Sequence, residues 1–370
     1  MRISIYLREP YPIGMACTKR IHLYAKGLIA CGNEVKIILP KATETIGSCY
    51  NKSVKGIFQG VPYQYSSRTT IRSKYFFTRR VQDFTAFLRS LIILISSKPD
   101  IVLLTGSSYI DTICLFAIKL FSKWKFILER SEVPYFNKTS ISFINRFFLK
   151  KIYSLYDGFI VISEKLKVYL ETEIEINRRY HITPILVEPN KDKKEYEKTE
   201  NIVYTGSLLD YKDGIVVLLK AFSVVLKSNH NIKLVMTGDI EKSRDKKIII
   251  DTINTLKITE FVKFTGYISQ EKLTELTYSA KILILAKPLN RQNMYNSATK
   301  IGEYLLTGRP VILSNVDTAS EELEDNIDVF LAEPSVKAMS EKMKYVISNY
   351  EMSLKVGENG KRTAIEKFGF

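Results

Sequence analysis

Cysteine is scarce: four residues in 370, Cys17, Cys31, Cys49 and Cys114, with no CxxC pair and no neighbouring histidines. That spacing argues against both a disulfide-stapled secreted domain and a structural zinc site, and points to free thiols in the cytoplasm. Long apolar runs are missing too. Nothing approaches the roughly 18 residues of a membrane span, and LIILI at 91–95 ends in Ser-Ser-Lys, so it reads as the core face of a helix. The opening MRISIYL alternates into a strand, with neither an apolar leader core nor a small-residue cleavage site, so no secretory leader is expected. Two nucleotide signatures are absent as well: a GxGxxG dinucleotide fingerprint and a GxxxxGK[ST] phosphate loop. The first absence argues against a nicotinamide-dependent enzyme.

What is present is globular. Apolar residues make up 45% and aromatics 11%, too many for a disordered chain, and the length allows two domains of ordinary size. The formal charge is +16, and it is lopsided. Residues 1–190 carry 28 Lys and Arg against 14 Asp and Glu, a net of +14; residues 191–370 carry 27 against 25, a net of +2. The first half is therefore expected to meet something anionic: nucleic acid, an acidic bilayer surface or a phosphorylated substrate.

The chain alternates between strands and helices, twice. RISIYL, EVKIILP, DIVLLTG, KFILE and GFIVIS are strand-like in the first half, and the helix TKRIHLYAKGLIACG follows the first of them. A basic, aromatic stretch at 68–98 has helical spacing at Val81, Phe84, Leu88, Leu91 and Ile95. The charged, aperiodic PNKDKKEYEKTEN reads as a linker. The pattern then restarts with NIVYTG, KLVMTG, VKFTG, KILILA and VILS, separated by helices. Short continuous apolar strands alternating with helices predict an α/β fold of two Rossmann-like doubly wound parallel-sheet domains. The boundaries expected are 1–190, a linker at 191–200, 201–350, and a C-terminal helix or tail at 351–370. Ligands in such sheets bind outside the carboxyl ends of the strands, so a site is expected in the cleft between the domains.

Two stretches carry the chemistry. YTGSLLDYKDG (204–214) is a strand, a glycine turn, a loop with Lys212 and a helix start, a pattern suited to phosphate. SATKIGEYLLTGRPVILSN (297–315) places a carboxylate, Glu303, inside a short helix running into a buried strand. Ile301, Tyr304, Leu305 and Gly308 fall to one side and Glu303 opposite, with Thr299 and Asn296 near it. Glu303 is either a solvated residue paired with Lys300 or a carboxylate held at the edge of a pocket.

The two stretches in that order, with VKFTGYISQEKLTELTYSAKILI between them, resemble the retaining nucleotide-sugar glycosyltransferases of the GT-B fold, family 4 in particular. YPIGMACTKRIHLYAKGLIACGNEVKII and YDGFIVISEKLKVYL in the first half are similar to that family's first domain. The resemblance implies that Glu303 accepts hydrogen bonds from the donor's ribose hydroxyls. It implies that Gly206 and Lys212 hold the departing diphosphate, with Thr299 and Lys300 adding contacts to it and Ser207 also among the donor-binding residues. Tyr267 lies where the family contacts the base, and Gly14 in the loop facing the donor. Arg291, Asn293, Tyr295 and Asn296 are candidates for contact with the sugar.

Several positions depart from the family pattern. Tyr295 stands where a second Glu is frequent, and Ser207 replaces a frequent Arg. No His follows KFILE; Glu129, Arg130 and Glu132 are the polar groups there, and His22 on the first helix reads as structural. The sequence given ends at EKFGF, about where many relatives continue into a further helix.

The implied reaction displaces a nucleoside diphosphate from a sugar by an acceptor hydroxyl with retention. The resemblance implies that a helix dipole and a cation, Lys212, stabilise the leaving group in place of a metal and that no cofactor is needed; no Asp-x-Asp tripeptide is present to hold a metal. Glu129 is a candidate catalytic carboxylate that orients the acceptor or the sugar. The implied partners are a nucleoside-diphosphate-sugar and a saccharide acceptor that is lipid-linked and belongs to cell-surface polysaccharide synthesis. Arg72, Lys74, Arg79 and Arg80, interleaved with Tyr75, Phe76 and Phe77, and Arg146, Lys150 and Lys151 beside Phe147 and Phe148, suit docking at an anionic membrane surface. That places the protein at the inner face of the cell membrane. The competing reading of each cluster is a solvated basic helix with its aromatics in the core. Two other functions stay open: an epimerase or hydrolase acting on nucleotide-sugars, and a basic nucleic-acid binder, which no zinc-finger spacing, RNP-like run or KH-type GxxG in a suitable context supports.

Overall fold

A computed structural model describes residues 1–47, 49–106, 108–135, 141–189 and 194–370. It divides into two compact units, Met1–Leu186 with Phe370, and Val187–Gly369. The division falls ahead of the 191–200 segment expected as a linker. Residues 191–193 of that segment lie outside the described residues. Its later part is tied into the second unit, where Thr199 N–H and Oγ1 donate to the Ser279 carbonyl at 2.9 and 3.0 Å.

The first unit runs β1 (Arg2–Leu7), α1 (Ala16–Ala30), β2 (Glu34–Leu39), β3 (Lys55–Phe58), β4 (Val61–Tyr65), α2 (Phe76–Ser97), β5 (Ile101–Thr105), α3 (Tyr109–Lys119), β6 (Lys125–Arg130), α4 (Phe143–Tyr153), β7 (Gly158–Val161), α5 (Glu164–Thr172) and β8 (Arg179–Ile182). Its eight strands lie in the order β3-β4-β2-β1-β5-β6-β7-β8. Only the β3–β4 hairpin is antiparallel. The second unit runs β9 (Asn201–Tyr204), α6 (Asp210–Asp213), α7 (Ile215–Leu226), β10 (Lys233–Met236), α8 (Lys246–Leu256), β11 (Val262–Phe264), α9 (Gln270–Ser279), β12 (Ile282–Leu285), α10 (Arg291–Tyr295), α11 (Thr299–Leu305), β13 (Val311–Ser314), β14 (Phe330–Ala332), α12 (Val336–Ser348) and α13 (Tyr350–Phe368). Its six strands are parallel, in the order β11-β10-β9-β12-β13-β14.

The local chemistry accounts for these elements. ILIL of β12 and VILS of β13 are buried at every position, as expected of strands covered on both faces. Ser108, Ser142, Ser163, Ser269 and Ser335 each begin a helix by accepting a backbone N–H three residues on. Strand order reverses between β1 and β5 in the first sheet and between β9 and β12 in the second. At such points the loops beyond two adjacent strands diverge and leave a crevice for a ligand.

One expectation holds only in part. Of LIILI, read as a core face, Leu94 is buried but Ile92 and Ile95 are 65% and 52% exposed, and Val81, Phe84 and Leu88 on the same helix are 55%, 61% and 44% exposed. Helix α2 packs inward through Ala86, Ser90 and Leu94 instead, and Ser90 Oγ meets the Tyr6 hydroxyl of β1 at 2.8 Å. The spacing of an apolar stripe shows that one face is apolar; it does not say what lies against it.

Candidate active site

The crevice of the second sheet opens beyond the ends of β9 and β12, and 204–214 supplies one wall. Tyr204, the last residue of β9, is fully buried. Thr205 N–H and Oγ1 meet the Tyr304 hydroxyl at 2.7 and 3.0 Å, which pins the strand end to α11. Gly206 donates its N–H to Thr237 Oγ1 (3.1 Å) at the end of β10. A methyl group at Gly206 would overlap both the Tyr204 hydroxyl and the Lys300 ammonium. The nearer obstacle is the buried Tyr204 side chain, so a side chain at 206 would have to displace it as well as the lysine.

Asp213, which the sequence did not single out, is the centre of this arrangement. It is buried, accepts from Ser207 Oγ at 3.2 Å and pairs with Lys300 Nζ at 3.4 Å. Burial works against ionisation of Asp213, but Lys300, the Tyr204 hydroxyl, Lys212 and Lys287 outweigh it and hold the carboxyl below its usual range. Burial pulls the Lys300 ammonium below the ordinary lysine range, with Asp213 opposing and Lys212 and Lys287 adding to the depression. Lys300 Nζ also lies 3.5 Å from the Tyr204 hydroxyl and 4.9 Å from the centre of its ring. So Lys300 turns to Asp213 and Tyr204, away from the Glu303 partner considered from the sequence.

Lys287, two residues beyond β12, pairs with Asp317 at 2.5 Å, and both side chains are buried. Asp317 also accepts from Ala298 N–H at 2.8 Å and so fixes the start of α11. Three ammonium groups are thus gathered with two carboxylates at one strand-order reversal. Gly214, with φ +66°, ends α6 and leads into α7; a side chain there would strike the Ala286 carbonyl after β12.

The segment 290–296 braces Lys212. Asn293 is fully buried and donates Nδ2 to the carbonyls of Lys212 (3.1 Å) and Pro288 (2.9 Å). Asn290 Nδ2 reaches the Tyr211 carbonyl at 2.5 Å. Asn293 therefore positions the backbone of Lys212, while its buried Oδ1 has no partner among the described residues. Asn296 is buried, its carbonyl accepting from Thr318 N–H (3.2 Å) and Oγ1 (3.1 Å). Tyr295, Thr299 and Lys212 are partly exposed, and Glu303 is the single residue of 301–308 that is not buried. Tyr267 is 68% exposed beyond β11, with Lys242 Nζ 5.3 Å over its ring.

The candidates in the first unit fare differently. Gly14 packs against Thr18, whose hydroxyl donates to the Pro10 carbonyl at 2.7 Å. Glu129, at the end of β6, is buried and paired with Arg20 Nε at 3.0 Å. Arg20 also donates to the carbonyls of Pro184 and Thr183, both at 2.6 Å. This carboxylate neutralises an internal guanidinium, which does not favour the catalytic role considered for it. Burial, then the nearby Glu129, push the Cys17 thiol up to about 12. His22 meets the Tyr11 hydroxyl at 2.7 Å through Nδ1 and Gln59 Oε1 at 3.0 Å through Nε2, a structural role as read from the sequence.

The basic clusters are split. Lys74, Arg79 and Arg80 lie at the exposed start of α2 or just before it, with Arg79 and Arg80 5.8 and 5.1 Å from the Phe76 ring; Arg72 is half-buried. Arg146 pairs with Glu173 at 3.5 Å and Lys150 with Glu175, so part of the second cluster's charge is met internally. Lys151 lies 5.5 Å from the Phe147 ring.

Residues 187–363 match the family described as Glycosyl transferases group 1. That match covers nearly all of the second unit. A capsular polysaccharide biosynthesis glycosyltransferase of Staphylococcus aureus, CapM, is 24% identical to this chain over 186 residues. That match spans 48% of this chain and 46% of CapM, about half the length of each. Among solved structures, a sucrose-phosphate synthase from Thermosynechococcus elongatus matches with a TM-score of 0.76 at 14% identity, covering 100% of this chain and 95% of that one. Anabaena HepE, in complex with UDP and glucose, matches with a TM-score of 0.70 at 13% identity, covering 100% and 96%. The two parallel-sheet units have the GT-B fold, and the lysine cluster around Asp213 lies inside residues 187–363.

Proposed function

We propose that this chain is a glycosyltransferase that moves a sugar from a nucleoside-diphosphate-sugar to a hydroxyl of a saccharide acceptor. The observation that carries this reading is the pairing of Lys300 with Asp213 where β9 and β12 diverge, with Lys212 and Lys287 within electrostatic reach of the same carboxylate. In the reaction, the bond from the anomeric carbon to the diphosphate oxygen breaks and a bond to the acceptor oxygen forms. The acceptor proton passes to the departing diphosphate. Negative charge grows on the leaving group, and fixed cations in a partly buried site stabilise it; one such donor lost costs about 3 kcal/mol. Lys212 and Lys300 supply that charge, so the transfer runs without a metal ion. Glu303, half-exposed on α11, accepts from the ribose hydroxyls. Asn293 Oδ1, buried and unpartnered, is an acceptor for a hydroxyl of the bound donor.

Retention at the anomeric carbon and a lipid-linked acceptor complete the reading, with CapM as a relative named for capsular polysaccharide biosynthesis. The basic first half then works at an anionic membrane face. A thermal-shift screen of nucleoside diphosphates and nucleotide-sugars tests the core of it. A ligand at a hundred times its dissociation constant adds about 2.7 kcal/mol of stability. One base class is expected to raise the midpoint, with the gain lost in Lys212→Ala and Glu303→Ala. Turnover is expected to survive chelation of divalent ions. Products analysed with and without acceptor separate transfer from hydrolysis or epimerisation; a donor consumed at the same rate without acceptor overturns the reading.

A further inference from the structure

Helix α2 has two apolar faces, and only one is used inside the first unit. At about 100° per residue, Phe77, Val81, Phe84, Leu88, Ile92 and Ile95 fall within an arc of roughly 80°. Ala86, Ser90 and Leu94, the buried residues, fall on about the opposite side. The outer six are 81%, 55%, 61%, 44%, 65% and 52% exposed. They make a straight apolar stripe about 27 Å long at 1.5 Å per residue. The crossovers that place α2, α3 and α4 run in one direction along the sheet, which puts the three helices on the same face. There Ile110 and Ile113 of α3 and Phe143, Ile144 and Phe147 of α4 are exposed as well. Exposed apolar surface of this extent, the stripe of α2 above all, marks an interaction site.

Charge selects the occupant. Residues 68–98 contain seven Lys and Arg and one acid, Asp83. Among the described residues Arg79 and Arg80 make no ion pair; they lie over the Phe76 ring at the head of the stripe. A second copy of the chain would bring the same positive charge to this face. A nucleic acid would satisfy the charge and leave the apolar stripe in water. An anionic bilayer meets both, accepting the apolar face at the acyl boundary and the cations at the headgroups.

We infer that α2 lies in the plane of an anionic lipid bilayer, with Phe77, Val81, Phe84, Leu88, Ile92 and Ile95 seated in the interface and Arg79 and Arg80 among the headgroups. This rests on the membrane-face reading given above and adds that attachment is mainly hydrophobic, through one helix. The bulk of the stripe is far enough along α2 from Arg79 and Arg80 for the two contributions to be removed separately.

The test is co-sedimentation of the full chain with vesicles of phosphatidylcholine alone or with phosphatidylglycerol. Wild type is compared with Phe84→Gln/Leu88→Gln/Ile92→Gln and with Arg79→Gln/Arg80→Gln. The three apolar positions are exposed, so the triple variant is expected to fold, checked by circular dichroism and by an unchanged nucleotide thermal shift. Wild type is expected to bind the phosphatidylglycerol vesicles, and the triple variant to partition at least tenfold more weakly. A Phe84→Trp reporter is expected to shift its emission to the blue on those vesicles. Binding that survives the triple change and falls only in the arginine variant, with no shift in the emission of the Phe84→Trp reporter, overturns the helix assignment and keeps the membrane-face reading. No binding to either vesicle overturns both. A dimer dispersed by the triple change makes the stripe a contact between copies and also overturns the inference. The nucleotide shift reports the transferase reading independently of all of these.

Discussion

Lys300 and Glu129 show how burial decides what a charged side chain can do. Lys300 sits beside a carboxylate yet titrates below an ordinary lysine, because desolvation exceeds what Asp213 returns and Lys212 and Lys287 repel it. A lowered lysine pKa means the cation is lost as pH rises, earlier than the ordinary value of 10.5. Affinity for a nucleoside diphosphate is therefore expected to decline on the alkaline side, by up to about tenfold per pH unit. Lys300→Arg, whose charge persists, is expected to flatten the decline. Calorimetric titration from neutral to alkaline pH reads this directly, and a flat wild-type profile would remove Lys300 from the site. Glu129 is the opposite case. Its partner Arg20 is as buried as it is, so Glu129→Gln strands a guanidinium in the interior. A loss of about 3–5 kcal/mol in urea unfolding is expected, nearer the lower figure because Arg20 keeps two carbonyl partners. Turnover per folded molecule is expected to hold; turnover lost at full stability would return Glu129 to catalysis.

Short elements here are held by cross-links that sequence periodicity does not reveal. Helix α11 is seven residues long, too short to be stable by its own hydrogen bonds. Its position comes from Tyr304, whose hydroxyl accepts from Thr205 N–H and shares a second bond with Thr205 Oγ1 at the end of β9, and from Asp317, which holds Ala298 N–H. Tyr304→Phe leaves the buried Thr205 N–H without its acceptor, at about 1–3 kcal/mol. Denaturant unfolding should show that loss together with weaker nucleotide binding, since Lys300 and Glu303 ride on the same helix. Stability lost with nucleotide affinity intact would mean that α11 does not carry the donor contacts. Helix α2 was legible as a helix from its spacing, and its outward face was not. Its inner face contains alanine and serine, which a search for large apolar residues passes over.

Across the molecule the asymmetry of charge has a counterpart in the surface. The +14 half is also the half whose helices α2, α3 and α4 expose Phe77, Ile110 and Phe143. In the second unit the net charge is small, and the cations that matter are few, gathered and partly neutralised. The two halves thus carry their charge differently: a basic and apolar surface in one, a compact set of ion pairs in the other.

The alternation of strands and helices, the two parallel-sheet units and the stretches 204–214 and 297–315 were all readable in the sequence. Each depends on neighbours a few residues away: apolar runs, glycine turns, serine caps. Asp213 was passed over beside Lys212 because its meaning comes from Lys300, 87 residues on. Glu129 reads as a candidate catalytic carboxylate from its place at the end of KFILE, and its pairing with Arg20, 109 residues away, is written in neither segment. Which partners meet depends on strand order, and strand order is settled by packing whole helices on whole sheets. The pattern of one segment carries no record of that choice, so burial, pairing and the free face of α2 belong to the tertiary structure alone.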